Sequence, residues 1–173
     1  MLDIILNRTS CRSYLNKPIE ANKIAQLKAA INNSPTARNL QDFSCIFITD
    51  IKVHEQLCKY ADNQPHVKNA PLFILFLGDQ NRLNNHTNWS EVDATIAITS
   101  VMFAAEAIGL QSCLIGRIVY HEQEINKLLQ IEGKTKIVLG LTVGYAKTKT
   151  PHPIKLNRCY DEIYNLAKVK KGQ

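Results

Sequence analysis

Apolar and polar positions follow two rhythms along this chain, and the switches between them mark its elements. Asn22–Asn32 carries Ile24, Leu27, Lys28 and Ile31 at helical spacing, with Pro18 just upstream. A shorter helix is expected to end near Asn7. Asn33–Gln41 clusters Asn, Ser, Pro and Thr and predicts a loop. Phe43–Thr49 and Pro71–Gly78 are short apolar runs rich in aromatic and β-branched residues and predict strands. The second has no polar face, which predicts a sheet covered on both sides. Between them Asp50 is placed to cap a helix carrying Val53, Leu57 and Tyr60.

Ser90–Ile108 is the longest helical stretch, and its C-terminal half is apolar nearly all round. Such a helix belongs in a domain centre or in a subunit interface. Gly109 can end it in a left-handed conformation. Ser112–Gly116 predicts a short strand, Glu122–Gln130 a helix with Ile125, Leu128 and Leu129 on one face, and Lys136–Tyr145 a third strong strand. A loop from Lys147 to Asn157 and a final helix over Tyr160–Lys168 complete the pattern, with Lys168–Lys171 as a frayed basic end. Helices and strands alternate, which predicts an α+β or α/β three-layer fold. No repeat or linker interrupts the pattern, so residues 1–173 are expected to form one domain.

Composition narrows the classes. With 45% apolar and 21% charged residues, the chain has the makeup of a globular protein. No run reaches the ~20 apolar residues of a membrane span, and the start does not read as a secretory leader. Five cysteines, an odd number without a C-x-x-C pair, argue against zinc ribbons and thioredoxin-like chemistry and suggest a reduced, cytoplasmic setting. Most of these thiols are expected to be small buried hydrophobes. The net charge of +6 suits an anionic partner, either nucleic acid or a phosphorylated cofactor, and equally suits a solvated lysine-rich surface. Aromatic residues make up only 7%, and no zinc-finger or RNP-like motif is present, which weighs against nucleic acid.

Four segments carry candidate chemistry. Arg8, Ser10 and Arg12 put two guanidinium forks and a hydroxyl within five residues, suited to a phosphate and another electron-rich group. Ser34–Gln41 offers several donors and acceptors beside Pro35. Gly109–Arg117 includes Gly116, where a ligand can approach the backbone closely. Lys155–Arg158 adds two cations. Taken singly, each also reads as ordinary structure: surface charge, a turn, a helix stop before a strand, a basic loop.

Their ordered occurrence is more specific. Arg8, Ser10, Arg12 and Tyr14, then Ser34, Pro35, Thr36, Asn39 and Gln41, then Ala70-Pro71, Gly109-Leu110, Ile115-Gly116, Gly144-Tyr145 and Arg158 before Asp161 and Glu162 resemble the FMN-dependent nitroreductase family over nearly the whole chain. The resemblance implies an α+β, three-layer α-β-α fold: a central mixed, mainly antiparallel sheet with helices on both faces, in an intertwined homodimer. It implies FMN as cofactor, NADH or NADPH as donor, and an electron-poor small-molecule acceptor, nitroaromatic- or quinone-like, reduced in a ping-pong cycle. Flavin N5 would do the chemistry, with Arg12 and Gly116 in support and no metal.

By the same resemblance Arg8 and Ser10 would hold the FMN phosphate, joined by Arg158 and Lys155. Thr9, where relatives carry Arg or His, would make a weaker contact. Arg12 would lie by N1 and O2. Pro35, Thr36, Ala37 and Asn39 would reach the flavin of the partner subunit, and Leu114, Ile115 and Gly116 would lie along the ring. Asn63 and His66 fall where further pyrimidine contacts occur, although His66 by itself reads as an exposed loop histidine. Arg117 stands where relatives carry a small residue, so it would narrow the space over the flavin or serve an anionic substrate. Gln80–Trp89 leaves little room for a substrate lid. An FMN-binding sensor or store with little NAD(P)H turnover is the alternative, and reductive dehalogenation or flavin breakdown within the same fold ranks lower.

Overall fold

The computed structural model describes residues 1–81, 89–148, 150–155 and 159. Its elements run α1 (Leu2–Asn7), α2 (Ala21–Asn32), β1 (Phe43–Ile48), α3 (Ile51–Tyr60), α4 (Pro65–Asn69), β2 (Leu72–Asp79), α5 (Ser90–Ala107), β3 (Gln111–Ile115), α6 (Glu122–Leu129) and β4 (Thr135–Gly144). Short 3-10 turns cover Ala37–Asn39 and Arg117–His121.

Local chemistry accounts for most boundaries. The Asp50 carboxylate accepts from the Lys52 N–H at 2.8 Å and caps α3. Gly109, at φ 77°, ends α5 in the left-handed region. Gln130, at φ 54°, does the same after α6. α4 was not expected. Pro65 occupies its first turn, where a missing N–H costs nothing, and starts a helix inside a stretch that reads as loop.

The strands form an antiparallel sheet in the order β1-β2-β4-β3. Among the described residues a parallel component enters only through an isolated bridge between Ser10 and Ser112. Leu72–Gly78 of β2 is buried throughout, so its alternating side chains must fill two cores. On one face Leu72, Ile74 and Phe76 pack with Leu27 and Ile31 of α2 and Ala97, Ile98 and Val101 of α5. On the other Phe73, Leu75 and Leu77 pack with Leu57, Val67, Ile118 and Ile125. Each such side chain contributes about 1.5–3 kcal/mol on burial. The three-layer α+β expectation therefore holds, and continuous apolarity of β2 is its physical cause.

Cys11 and Cys113 are buried and Cys45 and Cys58 half-buried, all four as free thiols, and Cys159 is exposed. The expected helix over Tyr160–Lys168, the basic end, Arg158 and most of the Gln80–Trp89 stretch lie outside the described residues. No described helix is long and apolar enough to cross a membrane.

Candidate functional site

After α1 the chain leaves helical geometry at Arg8 and extends along β3. The Cys11 N–H donates to the Ser112 carbonyl at 3.0 Å, while Leu15 N–H donates to Tyr145 O and Lys147 N–H to Ser13 O, both at 2.8 Å. This pairing ties residues 10–15 to β3 and to the end of β4. In an extended chain, side chains alternate between two sides. Thr9 and Cys11 are accordingly buried, leaving Arg8 and Ser10 half-buried and Arg12 exposed on the opposite side. The Arg-x-Ser-x-Arg spacing thus becomes a row of donors beside β3.

Tyr14 anchors that row. Its ring is buried, and its hydroxyl lies 2.9 Å from Thr142 Oγ1, which in turn donates to the Cys113 carbonyl at 3.2 Å. Burial pushes the phenol far above its ordinary range, and the Thr142 hydrogen bond only partly opposes it. Burial also raises the Cys113 thiol, with Arg12, Ser10 and Arg8 opposing it. The two guanidiniums therefore act on β3 from outside.

His66 departs from the expected exposed loop position. Within α4 it is only 5% exposed, and its Nε2 is a buried atom without a hydrogen-bond partner. Burial lowers its pKa, and the Arg12 cation lowers it further. The correction follows from Pro65: a helix begun there turns the next side chain inward. A neutral imidazole with an unfilled ring nitrogen thus stands near Arg12. Ser112 Oγ, in the strand beside Ser10, is likewise buried and unpartnered.

At the end of β3 Leu114 is 43% exposed, whereas the Ile115 side chain is in the core and leaves only its backbone available. Gly116 has an ordinary φ of −84°, and a Cβ there would meet only Leu139 Cδ2 at 3.9 Å. Open space, rather than a backbone requirement, distinguishes this glycine. Arg117 pairs through Nε with Asp62 and stacks near Tyr120, so its charge is engaged within the chain. That pair brings exposed Asn63, at φ 55°, next to the Gly116 turn. On the N-terminal side a cleft of ≈350 Å³ lies between Asn7, Thr9 and Thr150–His152, and exposed Lys155 follows.

The Ser34–Gln41 loop lies elsewhere. It precedes β1, at the far edge of the sheet from β3, and three strand spacings amount to about 14 Å. Pro35 and Asn39 are exposed, while Thr36 and Ala37 are half-buried. Arg38, Asn39 and Gln41 have φ of 52°, 58° and 55°. Two further residues, which the sequence reading passed over, hold this loop. The Ala37 N–H donates to both Asp93 carboxylate oxygens at 3.0 and 3.2 Å, and Asp42 hydrogen-bonds the same carboxyl. Asp93 could have been noticed from its spacing with Ala97 and Val101, which puts an acid on the buried face of α5.

The sequence model of the nitroreductase family matches residues 5–87 and 53–145. The chain belongs to the nitroreductase family. Among curated relatives, this family member is 28% identical over 158 residues to an FMN reductase [NAD(P)H] of Bacillus subtilis, covering 82% of this chain and 64% of that protein. It is 27% identical over 188 residues to an FMN reductase (NADPH) of the same organism, covering 95% and 74%. It therefore spans less than two thirds of the first relative's length. The solved structure of NfrA1 from B. megaterium superposes with a TM-score of 0.93 at 26% identity, covering 98% of this chain and 78% of that one.

Proposed function

We propose that this chain is an FMN-dependent oxidoreductase that moves hydride from NADH or NADPH to an electron-poor small molecule. The observation that carries this reading is the row Arg8–Ser10–Arg12 along β3, with the unfilled Nε2 of His66 beside Arg12. FMN suits that set: a dianionic phosphate takes forked cations and a hydroxyl, and a heteroaromatic edge takes a cation and a neutral ring nitrogen. The matched relatives named FMN reductase support the same cofactor and donor.

When bound, FMN supplies the hydride chemistry. The chain's own groups do the rest. Arg8 and Ser10, with Lys155 and Arg158 from the C-terminal segment, hold the phosphate, and Thr9 contributes little because its side chain is buried. Arg12 is a fixed cation that stabilises negative charge on the pyrimidine side. Asn63 and His66 offer polar contacts to that edge. Leu114, the Ile115 backbone and Gly116 present a flat, open surface for the ring. Raised pKa values keep Cys11 and Cys113 as thiols, so neither serves as a nucleophile.

Pro35, Thr36, Ala37 and Asn39 lead into β1 while the row runs beside β3, and three strand spacings, about 14 Å, separate those two strands. A site using both takes the loop from a second copy, which makes the working unit a homodimer. Exposed Leu2, Ile5 and Leu6 of α1 and Val92 of α5 supply apolar surface for the pairing. The free thiols of Cys11, Cys45, Cys58 and Cys113 suit a reduced, cytoplasmic setting.

Purified protein should show flavin absorption in the visible range that bleaches when one of the two nicotinamides is added anaerobically, and Arg8→Ala should lose FMN on gel filtration. Bands that persist with both donors favour a flavin store. Colourless protein that ignores added FMN overturns the reading.

A further inference from the structure

Asp93 of α5 and Asp42, just ahead of β1, are each 1% exposed and in hydrogen-bond contact. Buried acids are rarely retained without a partner or a task. The surface acid of the first α5 turn is Glu91, which pairs with Lys136 at 2.7 Å. Asp93 lies two residues on, turned inward, and receives the Ala37 N–H on both oxygens.

The loop it touches needs holding. Non-glycine residues in the left-handed region cost free energy, and Arg38, Asn39 and Gln41 are all there. Within the loop, Asn39 N–H donates to Thr36 O at 3.1 Å and Gln41 N–H to Thr36 Oγ1 at 3.2 Å, so the turn is closed on itself. The Ala37 bond to Asp93 links it to the body of the protein. We propose that Asp93, paired with Asp42, is a positioning residue for the cofactor, clamping the Thr36–Gln41 turn in the form that presents Pro35, Thr36 and Asn39 to the FMN of a second copy. This rests on the two-chain FMN site proposed above.

The neighbouring Asp42 carboxyl disfavours a charge on Asp93. Burial pushes Asp93 above the ordinary carboxylate range; the Ala37 N–H opposes that and Asp42 adds to it. The other charged groups on neighbouring elements are otherwise engaged or outward. Asp79 takes Ser44 Oγ at 2.5 Å and Asn81 N at 3.0 Å, Glu91 takes Lys136, and Arg38 is exposed. A carboxyl raised in the folded state stabilises below its titration and loses that contribution as pH climbs through it. Ionisation of Asp93 turns its contact with Asp42 into repulsion between like groups, so that contact loosens on the alkaline side, while the Ala37 N–H bond to the charged carboxylate tightens.

The test compares the parent chain with Asp93→Ala and Asp93→Asn. FMN affinity is read by quenching of FMN fluorescence from about pH 4 to about pH 9. The Ala37 amide resonance is followed over the same range in 15N-alanine-labelled protein, assigned by its loss in Ala37→Ser. Asp93→Ala should weaken FMN binding about tenfold or more, the scale of losing a charged hydrogen bond. Asp93→Asn keeps shape and a carbonyl acceptor and mimics protonated Asp93. It should bind within about twofold of the parent at about pH 4 and escape the alkaline loss. The Ala37 resonance should titrate in the parent and stay still in Asp93→Asn. Parent-like FMN affinity in Asp93→Ala, or an Ala37 resonance that ignores pH in the parent, overturns the proposal. A titrating Ala37 in a parent that never binds FMN upholds the clamp and overturns the FMN reading. Where Asp93→Ala does not fold, Asp93→Asn and the Ala37 resonance decide alone.

Discussion

Gly144→Ala tests whether packing at the end of β4 sets the position of the Arg8–Arg12 row. A Cβ built on Gly144 lies 2.6 and 2.8 Å from Pro71 Cδ and Cγ and 2.9 Å from Tyr14 Cδ1. Ordinary carbon contacts are about 3.5–4.0 Å, so roughly 1 Å of movement is required. Neither neighbour yields readily. The Pro71 ring fixes its own backbone, and Tyr14 is buried with its hydroxyl 2.9 Å from Thr142 Oγ1. Overpacking of this kind costs about 1–3 kcal/mol. For a chain of this size each kcal/mol shifts Tm by about 2–4 °C, so a fall of roughly 2–12 °C is expected. Tyr14 is two residues from Arg12, so its displacement should also weaken FMN binding. Thermal unfolding followed by circular dichroism gives the first quantity, and an FMN fluorescence titration gives the second. Gly140→Ala is a harsher comparison, because its Cβ meets the fully buried Phe73 ring and Ile118. A Gly144→Ala protein melting within about 1 °C of the parent refutes the packing argument. A lower Tm with unchanged FMN affinity refutes only the link from Tyr14 to Arg12.

Gly116→Ala reverses that logic: its Cβ enters open space, so stability should hold within about 0.5 kcal/mol by urea unfolding while FMN affinity or turnover falls. Equal FMN binding in that variant counts against a ring lying on Gly116. His66 is held neutral by burial and by Arg12, below its ordinary 6.5, so it contributes stability above that pH and loses it as pH falls through the lowered value. The stability lost between about pH 7.5 and about pH 5.5 should therefore shrink in His66→Phe, and an unchanged loss in urea midpoints refutes the assignment.

Several features could be read from residue order because their causes are local. The Asp50 cap, the Gly109 stop and the continuous apolarity of β2 each act within a few positions, and each appears where expected. The Arg8–Ser10–Arg12 alternation needed only an extended backbone to become a row of donors. His66 was misjudged because its burial depends on α4, a five-residue helix too short to show a period. The pairing of Arg117 was not legible because its partner, Asp62, lies 55 residues away.

Taken alone, the order of residues determined the three-layer fold and the chemistry of each candidate segment, since periodicity, capping and side-chain type belong to the chain itself. Only the folded molecule decided which segments stand together. Sheet order put the Ser34–Gln41 loop at one edge and the arginine row at the other, and packing turned Asp93 and Asp42 inward to share a contact. Such adjacency depends on strand pairing and helix packing between positions distant in the chain, and no local pattern encodes it.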